Sequence, residues 1–248
     1  MNQTIETLLN HRSIRKFKEK AISSEIIHTL VDVAQHTATS NFMQSYSIIG
    51  ITDQQVKAQI AKIGNQPYIA ESAHLFIFVV DQHRNAQIAK ENGAEDVLVS
   101  GSMDRFMIGY SDALLATQNM IVAAESLGLG TVCLGSILND AKEMIQLLKL
   151  PQYTFPVLGL AIGYPDQEPQ LKPRLPMNIV YHENAYQEIG NFSEELAAYN
   201  AEVETYYDLR DANKRIDSFS KQITASMDRK PAGRMALLDY LKEQGFLQ

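Results

Sequence analysis

The chain has 248 residues, 45% of them apolar, which is enough for one sizeable core. Its 22 basic and 29 acidic side chains give a formal charge of −7, which argues against a general nucleic-acid binder, whose footprint is a basic surplus. A single cysteine, Cys133, excludes an intramolecular disulfide framework and a cysteine-rich metal site, and fits a reducing compartment.

In chain order, Ile5, Leu8 and Leu9 recur at helical spacing, and since Met1 to Asn10 hold no charged run followed by an apolar one, no signal peptide is expected. The polar run His11-Arg12-Ser13-Ile14-Arg15 interrupts. Ser23 is the expected N-cap of a helix whose buried stripe is Ile26, Ile27, Leu30, Val31 and Ala34, with Glu25 in its first turn. Ser47 to Ile51 predicts a short strand, and Gln54 to Ile63 a helix ended by Gly64-Asn65.

Leu75 to Val80 is apolar on both faces and predicts a central strand. The apolar run Ala73 to Val80 is too short to span a bilayer, so a cytoplasmic protein without membrane segments is expected. Residues 81–95 are polar and read as irregular. A helix is expected from about Asp104 to Leu127, apolar on most faces in its second half and ended by Gly128-Leu129-Gly130.

Thr131 to Leu134 predicts a strand, which would make Cys133 a small inert core residue. Asp140 and Glu143 have capping-box spacing for a helix Ala141 to Leu148, stopped by Pro151. Phe155 to Ile162 predicts another buried strand. Pro165, Pro169, Pro173 and Pro176 then hold the chain extended. Helices are expected at about 193–208, 213–228 and 231–244, more polar than the rest and packed as an arm over the core. Strands and helices intermix without βαβ alternation, which favours an α+β fold.

Two clusters can carry ligand chemistry. In an extended segment His11, Ser13 and Arg15 project on one side and Arg12 and Ile14 on the other. An imidazole, a hydroxyl and a guanidinium suit a phosphate or an anionic ring edge; the alternative is a solvated turn. Lys172 and Arg174, stiffened by Pro173, form a second cationic pair; the alternative is a basic surface loop. Gly128-x-Gly130 follows a helix and precedes a strand, the reverse of the dinucleotide-binding order. No nucleophile elbow, zinc motif or Walker loop is present, and His182-Glu183 lacks a second histidine.

The run His-Arg-Ser-Ile-Arg, the stretch Ala123 to Gly130, Gly135-Ser136, Leu171 to Pro176 and His182-Glu183-Asn184 together resemble the nitroreductase superfamily. Within it they are similar to the subgroup of major oxygen-insensitive nitroreductases and flavin reductase P. The resemblance implies a mixed sheet flanked by helices, with a helical C-terminal arm packed in a homodimer. It implies one FMN-binding domain over residues 1–248, with a core at about 1–180 and the arm at about 190–248.

By the same resemblance His11, Ser13, Lys172 and Arg174 would hold the FMN phosphate, and Arg15 would face the N1/O2 edge of the ring. Thr39, Ser40, Asn41 and Gln66 would flank the flavin, with Leu134, Gly135 and Ser136 as backbone beside it and Phe42 on the substrate side. The subgroup commonly has a second glycine at Ser136 and a tyrosine at Cys133. Arg210 and Arg215 fall where it binds the 2′-phosphate of NADPH. The implied reaction is two-electron transfer from NADPH to nitroaromatics, quinones or flavins by a ping-pong route, with no catalytic side chain. The alternatives are a dedicated flavin reductase and a non-catalytic FMN-binding protein.

Overall fold

The computed structural model describes residues 2–211 and 217–247. Its frame is a four-stranded sheet of β1 (Tyr46–Ile51), β2 (His74–Asp81), β3 (Gly130–Leu134) and β4 (Thr154–Gly163), in the order β1-β2-β4-β3. Every pairing between these strands is antiparallel. The parallel component expected of a mixed sheet reduces to one bridge, Ser13 to Thr131. The two central strands are the two longest apolar runs, because only inner strands are covered on both faces and along both edges.

The helix Met103–Ser126 lies against the sheet and packs on the helix Ser24–Gln35, burying Ala113, Ala116, Met120, Ile121 and Ala124. It ends where Gly128 takes φ +75, a conformation that side chains disfavour. The opposite face of the sheet buries Leu75, Ile77 and Val79 with Ile60, Ile63 and Met144. The expected caps form: Ser23 accepts from Ile26 N–H, and Asp140 from Glu143 N–H. Among the described residues no helix is long and apolar enough to cross a membrane.

Three local expectations change. The polar segment 81–95 is not irregular but holds a helix, Gln82–Glu91, capped by Asp81. It buries only Gln82 and Ala86, so it carries little of the periodic signal that marks a helix in sequence. The helical pieces near the end are broken, into Phe192–Glu195 and Ala197–Asp211 and into Ala232–Met235 and Leu237–Glu243; of the piece expected at 213–228, residues 213–216 lie outside the described residues and Phe219–Met227 is helical. Cys133 is exposed rather than buried, because it faces outward on an edge strand between two buried apolar neighbours.

The chain forms two compact units, Met1–Glu168 with Pro231–Gln248, and Pro169–Lys230. In the first, the returning C-terminus inserts Phe246 against Phe106, ring centroids 5.2 Å apart. The second has its own small core of Leu196, Tyr199 and Val203, packed by Leu175, Ile179 and Phe219.

Candidate functional site

The helix Gln3–Leu9 ends at Asn10, and the chain then runs extended along the edge of the sheet. Ile14 N–H donates to the Thr131 carbonyl at 2.8 Å, Lys18 N–H to that of Tyr164 at 2.9 Å, and Asp166 N–H to that of Lys16 at 2.9 Å. Ile14 and Phe17 are buried by this docking. Two glycines permit it: a Cβ on Gly130 would lie 2.6 Å from Ile14, and one on Gly163 2.6 Å from Phe17. Once Ile14 points inward, strand alternation turns Ser13 and Arg15 outward. Ser13 is half-buried and Arg15 exposed, as the alternation requires.

His11 is half-buried, with Nδ1 2.7 Å from Glu125 Oε1. Among the described residues, the Ser13 hydroxyl and the Arg15 guanidinium have no partner, and Arg15 is tied down only through its N–H to Gln167 Oε1 at 3.3 Å. Arg12 turns the other way; its Nε is buried and unpartnered among the described residues, while Nη1 donates to the Asn10 carbonyl.

A second group follows β3. Leu134 is buried, so its backbone and not its side chain is available to a ligand. A Cβ on Gly135 would meet no atom within 4 Å. The Ser136 hydroxyl donates to Gln66 Oε1 at 2.8 Å, which leaves the Gln66 amide N–H groups unengaged among the described residues. Gln66 itself follows Asn65, whose left-handed φ of 50 ends the helix Gln54–Gly64, and its N–H returns to the Ala61 carbonyl at 3.0 Å. Arg234, from the returning C-terminus, donates to the Gly135 carbonyl and, at 3.2 Å, to Asn139 Oδ1. The outward Cys133 thiol is raised in pKa by the protein packed round it and then by the Glu125 carboxylate.

The third group is the loop holding Thr39, Ser40, Asn41 and Phe42. Asn41, Phe42 and Gln44 all have positive φ, at 52, 57 and 48. Such backbone persists only when its surroundings impose it. Asp112, buried in the long helix, contributes to this, its two oxygens accepting from Ser40 N–H and Ser45 N–H, each at 3.0 Å, while Arg84 donates to the Gln44 carbonyl and Asn85 to that of Met43. Phe42 is left 83% exposed at the tip.

Lys172 and Arg174 stand in the second unit, both exposed and without partners among the described residues. The peptide between them is steadied by the Tyr199 hydroxyl, 3.5 Å from the Pro173 carbonyl. Arg215 and the side chain of Arg210 lie outside the described residues; the backbone of Arg210 is helical.

Within the first unit, β3 joins the predicted residues: Ser13 pairs beside its start, Gly135 and Ser136 extend its end, and Ser136 reaches Gln66. The sequence did not single out Asp112, Glu125 or Arg234. The first two carried a signal nonetheless, since each is an acid beside an apolar stretch of the long helix. Among the described residues no cluster of three or more His, Cys, Asp or Glu is placed to hold a metal ion. The donors suit a ligand with an anionic tail and a planar head with polar edges, and the fold is of α+β class.

Residues 8–164 match the Nitroreductase family, and residues 172–248 match the Nitroreductase family, C-terminal domain. The chain is 42% identical over 248 residues to the FMN reductase (NADPH) of Bacillus subtilis strain 168, covering 99% of each. It superposes on the structure of NfrA1 nitroreductase from B. subtilis with a TM-score of 0.93 at 41% identity, covering 98% of this chain and 99% of that one. On NADPH:FMN oxidoreductase from Vibrio harveyi complexed with NAD+, the TM-score is 0.89 at 33% identity, covering 100% of both. The chain belongs to the nitroreductase family.

Proposed function

We infer that this chain is an FMN-dependent oxidoreductase that passes two electrons from NADPH to nitroaromatics, quinones or free flavin. The carrying observation is the row His11, Ser13 and Arg15 laid along the edge of the sheet, in which the Ser13 hydroxyl and the Arg15 guanidinium have no partner among the described residues. That donor set fits FMN at both ends. His11 and Ser13 serve the phosphate and Arg15 supplies a cation for the N1/O2 edge; in the second unit, Lys172 and Arg174 offer two further cations suited to a phosphate.

Gln66 offers its free amide N–H groups to a further polar edge. The backbone of Leu134, Gly135 and Ser136 would flank the ring, in the open space beside Gly135, where an added Cβ would meet no atom within 4 Å. Thr39, Ser40 and Asn41 flank it, and Phe42 shapes the substrate side. Arg210 and Arg215 take the 2′-phosphate of NADPH.

The chemistry supplied by bound FMN is two-electron transfer from nicotinamide to acceptor. The side chains bind, orient and set charge, so no acid–base pair is needed. Donor and acceptor use one open face in turn, which gives ping-pong kinetics.

The assembly is a homodimer: Met103, Met107 and Leu114 share one face of the long helix and are at the surface of the single chain, an apolar row suited to a second copy. The chain is assigned to the cytoplasm, where its one cysteine stays reduced.

The test is the visible spectrum of the purified protein, followed by NADPH and NADH added separately under argon. Flavin bands that bleach faster with NADPH bear out the reading. A protein that takes up no FMN supplied in excess overturns it.

A further inference from the structure

Glu125 lies in the last turn of the helix Met103–Ser126, where the helix dipole opposes a carboxylate. Its side chain is only 13% exposed. Two interactions offset that position, and both converge on one oxygen. Oε1 accepts from the Thr131 hydroxyl at 2.7 Å and lies 2.7 Å from His11 Nδ1.

Thr131 is fully buried on β3, and its backbone carbonyl holds Ile14 N–H while Ser13 bridges beside it. One carboxylate therefore links the long helix, the edge strand and the segment that carries His11 and Ser13.

An imidazole that donates Nδ1–H to a carboxylate is fixed in orientation, with Nε2 on the far edge of the ring. His11 Nε2 has no partner among the described residues, and the side chain keeps 33% of its surface. We propose that Glu125 is a positioning residue for ligand binding: it holds His11 by Nδ1 so that Nε2–H donates to the phosphate of FMN. This rests on the reading that His11 and Ser13 hold that phosphate. One ring nitrogen is then directed at each anion, and Thr131 keeps the carboxylate from rotating away.

The experiment titrates the flavin-free full chain with FMN and with riboflavin, which lacks the phosphate. It compares the unaltered chain, Glu125→Gln, His11→Ala and the double variant. Loss of a charge-assisted hydrogen bond weakens FMN binding by about tenfold in Glu125→Gln and changes riboflavin binding by less than about twofold. In the His11→Ala background Glu125→Gln has no further effect, because coupled residues do not add.

An equal loss for both flavins, or full additivity with His11→Ala, overturns the proposal. An unaltered chain that binds riboflavin as tightly as FMN overturns the phosphate reading and this proposal with it, whereas a chain that binds neither fails the proposed function itself. Nitrogen NMR of the histidine-labelled chain gives an answer even if Glu125→Gln does not fold. FMN shifts the His11 Nε2 resonance while Nδ1 keeps its proton; an Nε2 resonance that FMN leaves unmoved overturns the assignment.

Discussion

Ser136 Oγ donates to Gln66 Oε1 at 2.8 Å, joining the segment after β3 to the turn after the helix Gln54–Gly64. Gly64 makes room for the contact, since a Cβ there would lie 2.9 Å from Ser136 Oγ. The bond takes up the amide oxygen and so presents the Gln66 N–H groups as donors. Replacing Ser136 by glycine frees the amide to turn, and FMN affinity falls about fivefold, the worth of one ordinary hydrogen bond. Fluorescence titration measures it; an unchanged dissociation constant shows that the amide is held some other way.

Asp112 accepts from two loop N–H groups and is almost wholly buried. Asp112→Ala leaves both donors unmet and loosens the positive-φ backbone at Asn41 and Phe42, while Arg84 still holds the Gln44 carbonyl. The expected loss is about 2–4 kcal/mol of stability, with a changed ranking of acceptors because Phe42 moves. Denaturant unfolding and kcat/KM across several nitroaromatics and quinones check both parts.

Arg15 is exposed and its guanidinium is free among the described residues. A cation beside N1/O2 favours the reduced flavin, whose added charge develops there. Arg15→Ala is expected to weaken FMN binding by about tenfold and to lower the flavin reduction potential. Potentiometric titration decides the second effect, and unchanged values for both remove Arg15 from the site.

For nicotinamide choice, Arg210→Ala and Arg215→Ala are expected to raise KM for NADPH and to leave that for NADH nearly unchanged. A bound 2′-phosphate is the only group that distinguishes the two donors. Parallel increases for both cofactors would assign these arginines another role.

His74 sits on β2 with its Nε2 buried and unpartnered among the described residues. Burial, and then the Lys57 ammonium, pull its pKa down from 6.5 to about 4. Burial also lowers the pKa of Lys57, which donates to the Ser72 carbonyl at 2.6 Å. Because the folded pKa lies below the unfolded one, the unfolded chain takes up the proton first as pH falls. The contribution of neutral His74 is complete above about pH 6.5 and is lost on descent toward pH 4. Allowing for solvent screening, the loss is about 1–2 kcal/mol. His74→Phe keeps a ring against Phe76 and flattens this limb of the melting-temperature profile; an unaltered acid limb would place the titrating group elsewhere.

Much of the frame was legible because its causes are local. The strands β2 and β4 announce themselves as apolar runs, and Ser23, Asp140 and Gly128 punctuate helices through contacts within a few residues. The helix Gln82–Glu91 was hidden because it buries too little to leave a periodic mark. Cys133 was misread because apolar sequence neighbours on an edge strand do not say which way the residue between them faces.

By itself, the sequence determined most strands and the capped helices, the alternation that turns Ser13 and Arg15 away from Ile14, and the kinds of donor offered to a ligand. Tertiary structure alone decided which groups those donors answer to. His11 meets Glu125 114 positions away, Ser40 meets Asp112 at 72, Ser136 meets Gln66 at 70, and Gly135 meets Arg234 at 99. Periodicity and capping report only forces that act within a turn or a strand. A hydrogen bond between residues that far apart exists only once the packed sheet and helices have fixed the path of the chain.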